Sequence, residues 1–435
     1  MEALRNKAAP ASMMQNSSIA RASHINPIGA CLVLVALSFN MFLCLLTTRA
    51  GIHFSATIVA VIELLIMAAG LVAIRHQVTP RAAQVIGILG AFLIGMKLLN
   101  PALDLKIISD IGIMYIFYEL GMMSSTQSAN RLVWWAVWIV VAVGFFELIL
   151  PNIFVSLFDE WTYYVDKGVI AKTVVNYSGT SFFISGQRGG SMARTFFPSL
   201  FGPHRVASIF LEPVSMGNFS VLVFAWCIST RADQPMKKAL LFALAALCFI
   251  LGDSRFASGC WILMAVLRAT PLYRSRFVVF CLPVLAVLGL VLAGSIHEMP
   301  GVLPSILHDD FAGRLLFSGR LLNYWSLQQW LALAPSQVYT SDTGYAYVIN
   351  NLGLPMALFC LAIFAFHQPR TPEAVSMKAM ISVYMATSLC IGANMFTIKT
   401  AALLWFLYGA ANTAQAISLP RASLRIGLPR GAVRI

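Results

Sequence analysis

Long apolar runs, separated by short polar stretches, decide what this chain can become. Runs long enough to cross about 30 Å of hydrocarbon occur near 28–47, 54–74, 82–100, 104–122, 132–150, 206–229, 238–251, 256–268, 276–294, 343–366, 376–394 and 397–415. Two of them, 238–251 and 256–268, fall short of the roughly 20 residues a simple span needs and read either as a hairpin of short helices or as a re-entrant pair. With 59% hydrophobic and only 11% charged residues, the chain carries too much apolar surface for one soluble core. The expectation is an all-α, polytopic integral membrane protein of about twelve transmembrane helices, with two large loops outside, about 151–205 and 295–342.

Orientation follows from Lys and Arg, which favour the cytoplasmic side. With the N terminus inside, the inner segments collect Arg75, Arg131, Lys237, Lys238, Arg268, Arg274, Arg276 and Arg370. More than half of the remaining cations sit in the two long loops, which the charge rule binds less. Both termini are therefore expected inside, as a tail over 1–27 and a basic tail over 416–435 flanking one transmembrane domain over 28–415. The first 27 residues do not read as a cleavable signal, because the apolar run after them is too long and no small-residue site closes it. All 8 cysteines fall in the expected spans, so no disulfide framework is expected outside. The net charge of +13 is largely the positive-inside signal, and the tails lack stacked aromatics, which sets aside nucleic acid as a partner.

The first outer loop and its exit, from Lys167 to Leu211, hold Lys167, Lys172, Arg188, Arg194, His204 and Arg205 without one Asp or Glu. Such a segment suits either an anionic ligand such as phosphate or diphosphate, or lipid headgroups. "GQRGGSMAR" adds glycines that let backbone N–H groups approach phosphate, but it lacks a P-loop ending. "RVASIFLEPVSMGNF" carries Arg205, Glu212 and Pro213 into a span. A helix beginning before Arg205 would project Arg205 and Glu212 from nearly one face, toward one cavity, while Pro213 predicts a broken or kinked start at Glu212. Either the two form a site or they merely close the bundle end; intramembrane ionisable groups favour the site. In the second loop, Phe311, Leu322 and Trp325 share a helical face with Arg320 roughly opposite Phe311, the pattern of an amphipathic helix lying on the membrane, anchored by Trp325 and Trp330. Asp342 stands at the mouth of the next span, placed to cap it or to act as a base. There is no DxD pair, no zinc-spaced His/Cys cluster, no GxSxG and no Walker motif, so no metal or cofactor is expected and chemistry is left to arginines and carboxylates.

"RVASIFLEPVSMGNF" resembles the Arg-x-x-x-x-Phe-x-Glu-Pro signature of Wzy-type bacterial polysaccharide polymerases, relatives of the O-antigen ligases. "GDSRFASG", "SGRLLNYW" and "DTGYAYVINNLGLPMALF" continue the resemblance in order and spacing over roughly residues 205–366, and where the ligases enter the last motif with a histidine this chain has Asp342. Within the family the leaning is toward an exopolysaccharide polymerase of the xanthan-like kind. The resemblance implies a GT-C-like glycosyltransferase of the bacterial inner membrane. It would transfer the growing chain from polyprenyl diphosphate to the next lipid-linked oligosaccharide repeat unit at the outer face, alongside a chain-length regulator and a flippase of the same pathway. Without a metal, the departing diphosphate needs fixed cations, and arginine fits phosphate best. Arg205 is the first choice, with Arg188, Arg194, Arg255, Arg314, Arg320 and His204 in support. Glu212 or Asp342 is the candidate base, unless Glu212 only orients Arg205. Tyr324, Tyr345 and Tyr347 either stack on sugar rings or anchor the interface. A ligase, or a flippase or transporter using Glu63, Glu119 and Glu147 as a coupling path, are the alternatives.

Overall fold

Proline and hydroxyl side chains set where the helices begin. The structure, a computed structural model, describes residues 27–104, 106–173, 181–183, 186, 204–231, 234–297, 304, 311–340 and 343–413, without the side chain of Arg81. Apart from Pro27 the two expected tails lie outside these residues, as do Arg188, Arg194, Asp342 and all of "GQRGGSMAR" but its first glycine. The helices are α1 (Pro27–Ala50), α2 (Ala56–Ile74), α3 (Pro80–Leu99), α4 (Lys106–Met122), α5 (Thr126–Ile149), α6 (Pro151–Leu157), α7 (Glu160–Asp166) and α8 (Pro213–Ser229). There follow α9 (Pro235–Leu251), α10 (Arg255–Ala269), α11 (Arg276–Ile296), α12 (Phe311–Tyr324), α13 (Leu327–Trp330), α14 (Gly344–Phe366), α15 (Pro372–Ser388) and α16 (Ile398–Asn412). No strand occurs among the described residues. Ser55, Thr79, Ser125, Ser254, Ser275 and Thr371 each accept a first-turn N–H at an N-cap, and proline fills the first position of α3, α6, α8, α9 and α15, where its missing N–H costs nothing.

A helix occupies each of the twelve expected segments, but only 6 are long and apolar enough to cross a membrane: α1, α2, α3 from Ala82, α5, α11 and α14. The other six, α4, α8, α9, α10, α15 and α16, have 15 to 17 residues, or about 22–26 Å at 1.5 Å per residue. They are short because their ends break for polar contacts: α8 is delayed by the turn before it, and α9 and α10 are separated by the Gly252–Ser254 turn.

Small residues draw the central helices together. α4 and α16 run parallel with their backbones in contact: a Cβ on Gly121 would stand 2.1 Å from the Phe406 carbonyl, and one on Gly409 would stand 2.1 Å from the Tyr118 carbonyl. α16 is consequently buried along its whole length. α11 and α12 meet through Gly294 and Gly319 in the same way. This corrects the expectation of a membrane-surface helix: α12 buries Phe317, Leu321 and Leu322 and leaves Phe311 exposed, because the glycine seam offers protein rather than lipid to that face. Trp325 is likewise buried, its indole N–H 3.3 Å from Ser336 Oγ. α14 is not one straight helix, since Gly353 breaks it at φ 73° and Pro355 follows.

Cations finish the helix C-termini. Lys97 donates to the Pro101 and Leu103 carbonyls beyond α3, Arg268 to Ile228 and Lys238 to Thr230 at the end of α8, Arg320 to His297 after α11, and Lys378 to Ala365 and His367 after α14. Each satisfies carbonyls that have no intrahelical partner and sits at the negative end of a helix.

Candidate functional site

The stretch from His204 to Pro213 is not helical at its start. Arg205 N–H donates to Gly186, Val206 N–H to Leu251, and the Ala207 and Ser208 N–H groups to the Glu147 carboxylate of α5 at 2.6–3.0 Å. A 3-10 turn over Ser208–Phe210 follows, then Leu211 in the left-handed region at φ 57° and Glu212 extended, and α8 begins at Pro213. Irregular backbone of this kind persists at membrane depth only when protein supplies its hydrogen bonds, and Glu147 and Leu251 do so. The broken entry expected from Pro213 is present. The shared helical face of Arg205 and Glu212 is not, because no helix joins them.

Glu212 takes its partners elsewhere. Its Oε2 lies 2.5 Å from Lys399 Nζ at the first turn of α16 and accepts from Ser215 Oγ at 2.9 Å, while Oε1 accepts from Tyr164 OH at 3.0 Å. Lys399, not Arg205, is its ion-pair partner. About 25% of the Glu212 side chain and 10% of Lys399 remain exposed, so the pair is reachable from one side. α7 roofs it: Tyr163 OH donates to Asn40 of α1 at 2.7 Å, and half-buried Lys167 reaches the same Asn40 oxygen at 3.3 Å, its ammonium over the Tyr163 and Tyr164 rings. Burial pushes Lys167 below the ordinary lysine value and Lys399 adds to this, against Glu212 and Glu63. Burial and the neighbouring Glu212 and Glu160 hold the Tyr164 phenol well above its usual range, so it remains a donor to Glu212. A second group sits beside this one, where Lys106 and Asp110 of α4 pair at 2.9 Å and Tyr347 of α14 donates to Asp110 at 2.7 Å. Glu63 of α2 lies within electrostatic range of Lys167, Lys106, Lys399 and Asp110.

The other expected residues are distributed. Arg205 spends Nε and Nη2 on the Gly252 carbonyl at 3.1 and 3.0 Å and reaches Asp253 O at 3.3 Å, closing the C-terminus of α9. Arg255, exposed at the start of α10, shares that corner. His204 is buried, stacked on Phe182 at 4.2 Å and 3.5 Å from Glu147. Arg314 is half-buried on α12, Arg320 closes α11, and Tyr324 is exposed. Tyr345 is buried, its phenol 3.5 Å from the Met385 and Ala386 carbonyls, which corrects its reading as a sugar platform. None of Arg205, Arg255, Arg314 and Arg320 bonds to Glu212.

Lys399, Tyr164 and Glu160 join this group although no motif marks them. Lys399 interrupts an apolar run, itself the signature of a functional intramembrane charge. Glu160 is buried at the start of α7, its Oε2 accepting the Phe183 N–H at 2.8 Å; burial, then Glu147, hold its carboxyl well above the usual range. No family model matches the chain, and neither a curated protein nor a solved structure matches it.

Proposed function

We propose that this protein is a Wzy-type polymerase: a twelve-span, GT-C-like enzyme of the bacterial inner membrane, both termini cytoplasmic. It joins polyprenyl-diphosphate-linked oligosaccharide repeat units into exopolysaccharide or O-antigen at the outer face, without a metal. The observation that carries the reading is the partly exposed Glu212–Lys399 pair at the broken entry to α8, roofed by Tyr164 and flanked by Lys167. The Lys399 ammonium keeps the carboxylate unprotonated, and the pairing loosens as the carboxylate takes a proton. In the proposed reaction the acceptor hydroxyl attacks the anomeric carbon of the lipid-linked chain and its proton passes to Glu212. The carbon–oxygen bond to the diphosphate breaks and the diphosphate leaves with the electron pair, its charge met by Lys399 and Lys167. Lysines thus take the part that sequence reasoning gave to arginines, and Arg205 becomes a positioning residue that ties the entry turn to the end of α9. Asp342 stays the alternative base.

A transporter reading is favoured by one observation, the electrostatic reach of Glu63 toward Lys106, Asp110, Lys167 and Lys399. Against it, Glu147 is engaged by backbone amides. Cells lacking the protein separate the readings. Single lipid-linked units exposed outside support the polymerase, units trapped inside support a flippase, and long chains left on lipid support a ligase.

A further inference from the structure

At the bundle end opposite the Glu212–Lys399 pair, the starts of α11 and α15 and the chain leaving α14 line an open cavity of about 460 Å³, within the roughly 300–1,000 Å³ usual for small-ligand sites. α15 runs 17 residues from the cavity mouth at Pro372 to Ser388, about 25 Å, and Lys399 lies beyond that far end. Arg274, Arg276, Arg370 and Lys378 line the cavity, and among the described residues no Asp or Glu does. The nearest acid in sequence, Glu373, is turned to Arg231 at 3.2 Å. Glu119 lies within electrostatic range of Arg370, but neither Arg276 nor Arg370 makes an ion pair with a described residue, and both are exposed. Lys378 is spent on the Ala365 and His367 carbonyls and contributes field rather than contact. Arg274 is steadied by Tyr273, donating to its phenol oxygen at 3.0 Å. Ser275 and Thr371, the N-caps of α11 and α15, also line the cavity, so two helix N-termini add their positive ends to the four cations.

Four cations on one cleft, with no carboxylate among its described lining residues, repel one another and are relieved when an anion enters. We propose that this cavity binds a phosphate group, gripped by Arg276 and Arg370 between the two helix N-termini. The phosphate belongs either to the headgroup of an anionic lipid or to a soluble phosphate compound. The site lies apart from the Glu212–Lys399 pair and does not depend on the function assigned there.

The test uses the full chain purified in neutral detergent. One arm titrates inorganic pyrophosphate by calorimetry; the other counts retained short-chain phosphatidylglycerol against phosphatidylcholine by native mass spectrometry. Arg276→Gln/Arg370→Gln should weaken binding by about tenfold or more, whereas Arg131→Gln, at an exposed cation of α5 that does not line the cavity, should change it little. Arg276→Lys/Arg370→Lys, keeping the charge, should recover part of the affinity and guards against a folding artefact. Retention of phosphatidylglycerol alone assigns the site to a lipid headgroup, and binding of pyrophosphate with the same sensitivity to a soluble ligand. If the wild-type chain prefers neither anion, or the double glutamine variant binds as the wild type does, the proposal is overturned.

Discussion

The Glu212 carboxylate has three partners, and each variant at this point removes something different. Glu212→Gln keeps the size and the Tyr164 and Ser215 contacts but loses the charge that holds Lys399. As the proposed base, its loss should lower polymer formation by about 10²–10³ or more. Lys399→Met should do the same, while single lipid-linked units accumulate outside and protein levels hold. Normal polymer from both variants at normal expression would remove the pair from the chemistry. Glu160 answers to pH instead. Its folded carboxyl titrates well above the usual range because it is buried, so the folded state holds a proton that the unfolded chain has released. The stability this provides is present below the ordinary carboxylate range and is lost as pH rises through the folded value. The apparent melting temperature should therefore fall on raising the pH, and Glu160→Gln, which still accepts from Phe183 N–H, should flatten that fall and melt about 2 °C or more above the wild type at pH 8.

Among elements, the α4–α16 seam determines where Lys399 stands, because α16 is positioned by Gly409 against Tyr118 and by Gly121 against Phe406. Gly409→Leu should force the helices apart, cost about 1–3 kcal/mol of stability, and reduce activity more than Gly289→Leu, where a Cβ meets open space; melting curves and polymer yield in parallel check this. The positions of the helices were readable because apolar runs and proline or hydroxyl starts are local properties of the chain. The entry to α8 was readable only in part: Pro213 announces a break, but Leu211 at positive φ depends on Glu147 and Leu251, which come from other helices. Glu212 was legible as a charge in an apolar context, its partner was not, since Lys399 lies 187 residues away in sequence. Arg205 looked catalytic for the same reason that it is useful as a cap, a cation with several donors. Only the fold brings it to the carbonyl of Gly252. The placement of α12 turned on Gly294 and Gly319, and single glycines in two helices do not reveal that they face each other.

For the whole molecule, the proposed orientation puts Tyr339 outside and Met236 inside, both well exposed. With Cys31 and Cys281 changed to alanine to remove the exposed thiols, Tyr339→Cys should react with an impermeant reagent applied to intact cells and Met236→Cys only after lysis. The reverse pattern would place the Glu212–Lys399 pair on the cytoplasmic side and end the polymerase reading. The break at Gly353 also bears on how the chain is made. Leu354–Phe366, the uninterrupted apolar part of α14, gives only about 20 Å of helix, short of a full crossing. The preceding half carries Tyr347, which donates to Asp110, and Asn351, which accepts from the Asp104 N–H, while the Leu331 carbonyl fits against Gly353. Asp104, Asp110 and Leu331 are all synthesised earlier, so when this polar half leaves the ribosome these receptors already exist, while the Leu389, Met385 and Ala386 carbonyls that face the Tyr345 N–H and phenol are still to come. The polar half of α14 is thereby held by protein translated both before and after it, rather than by lipid.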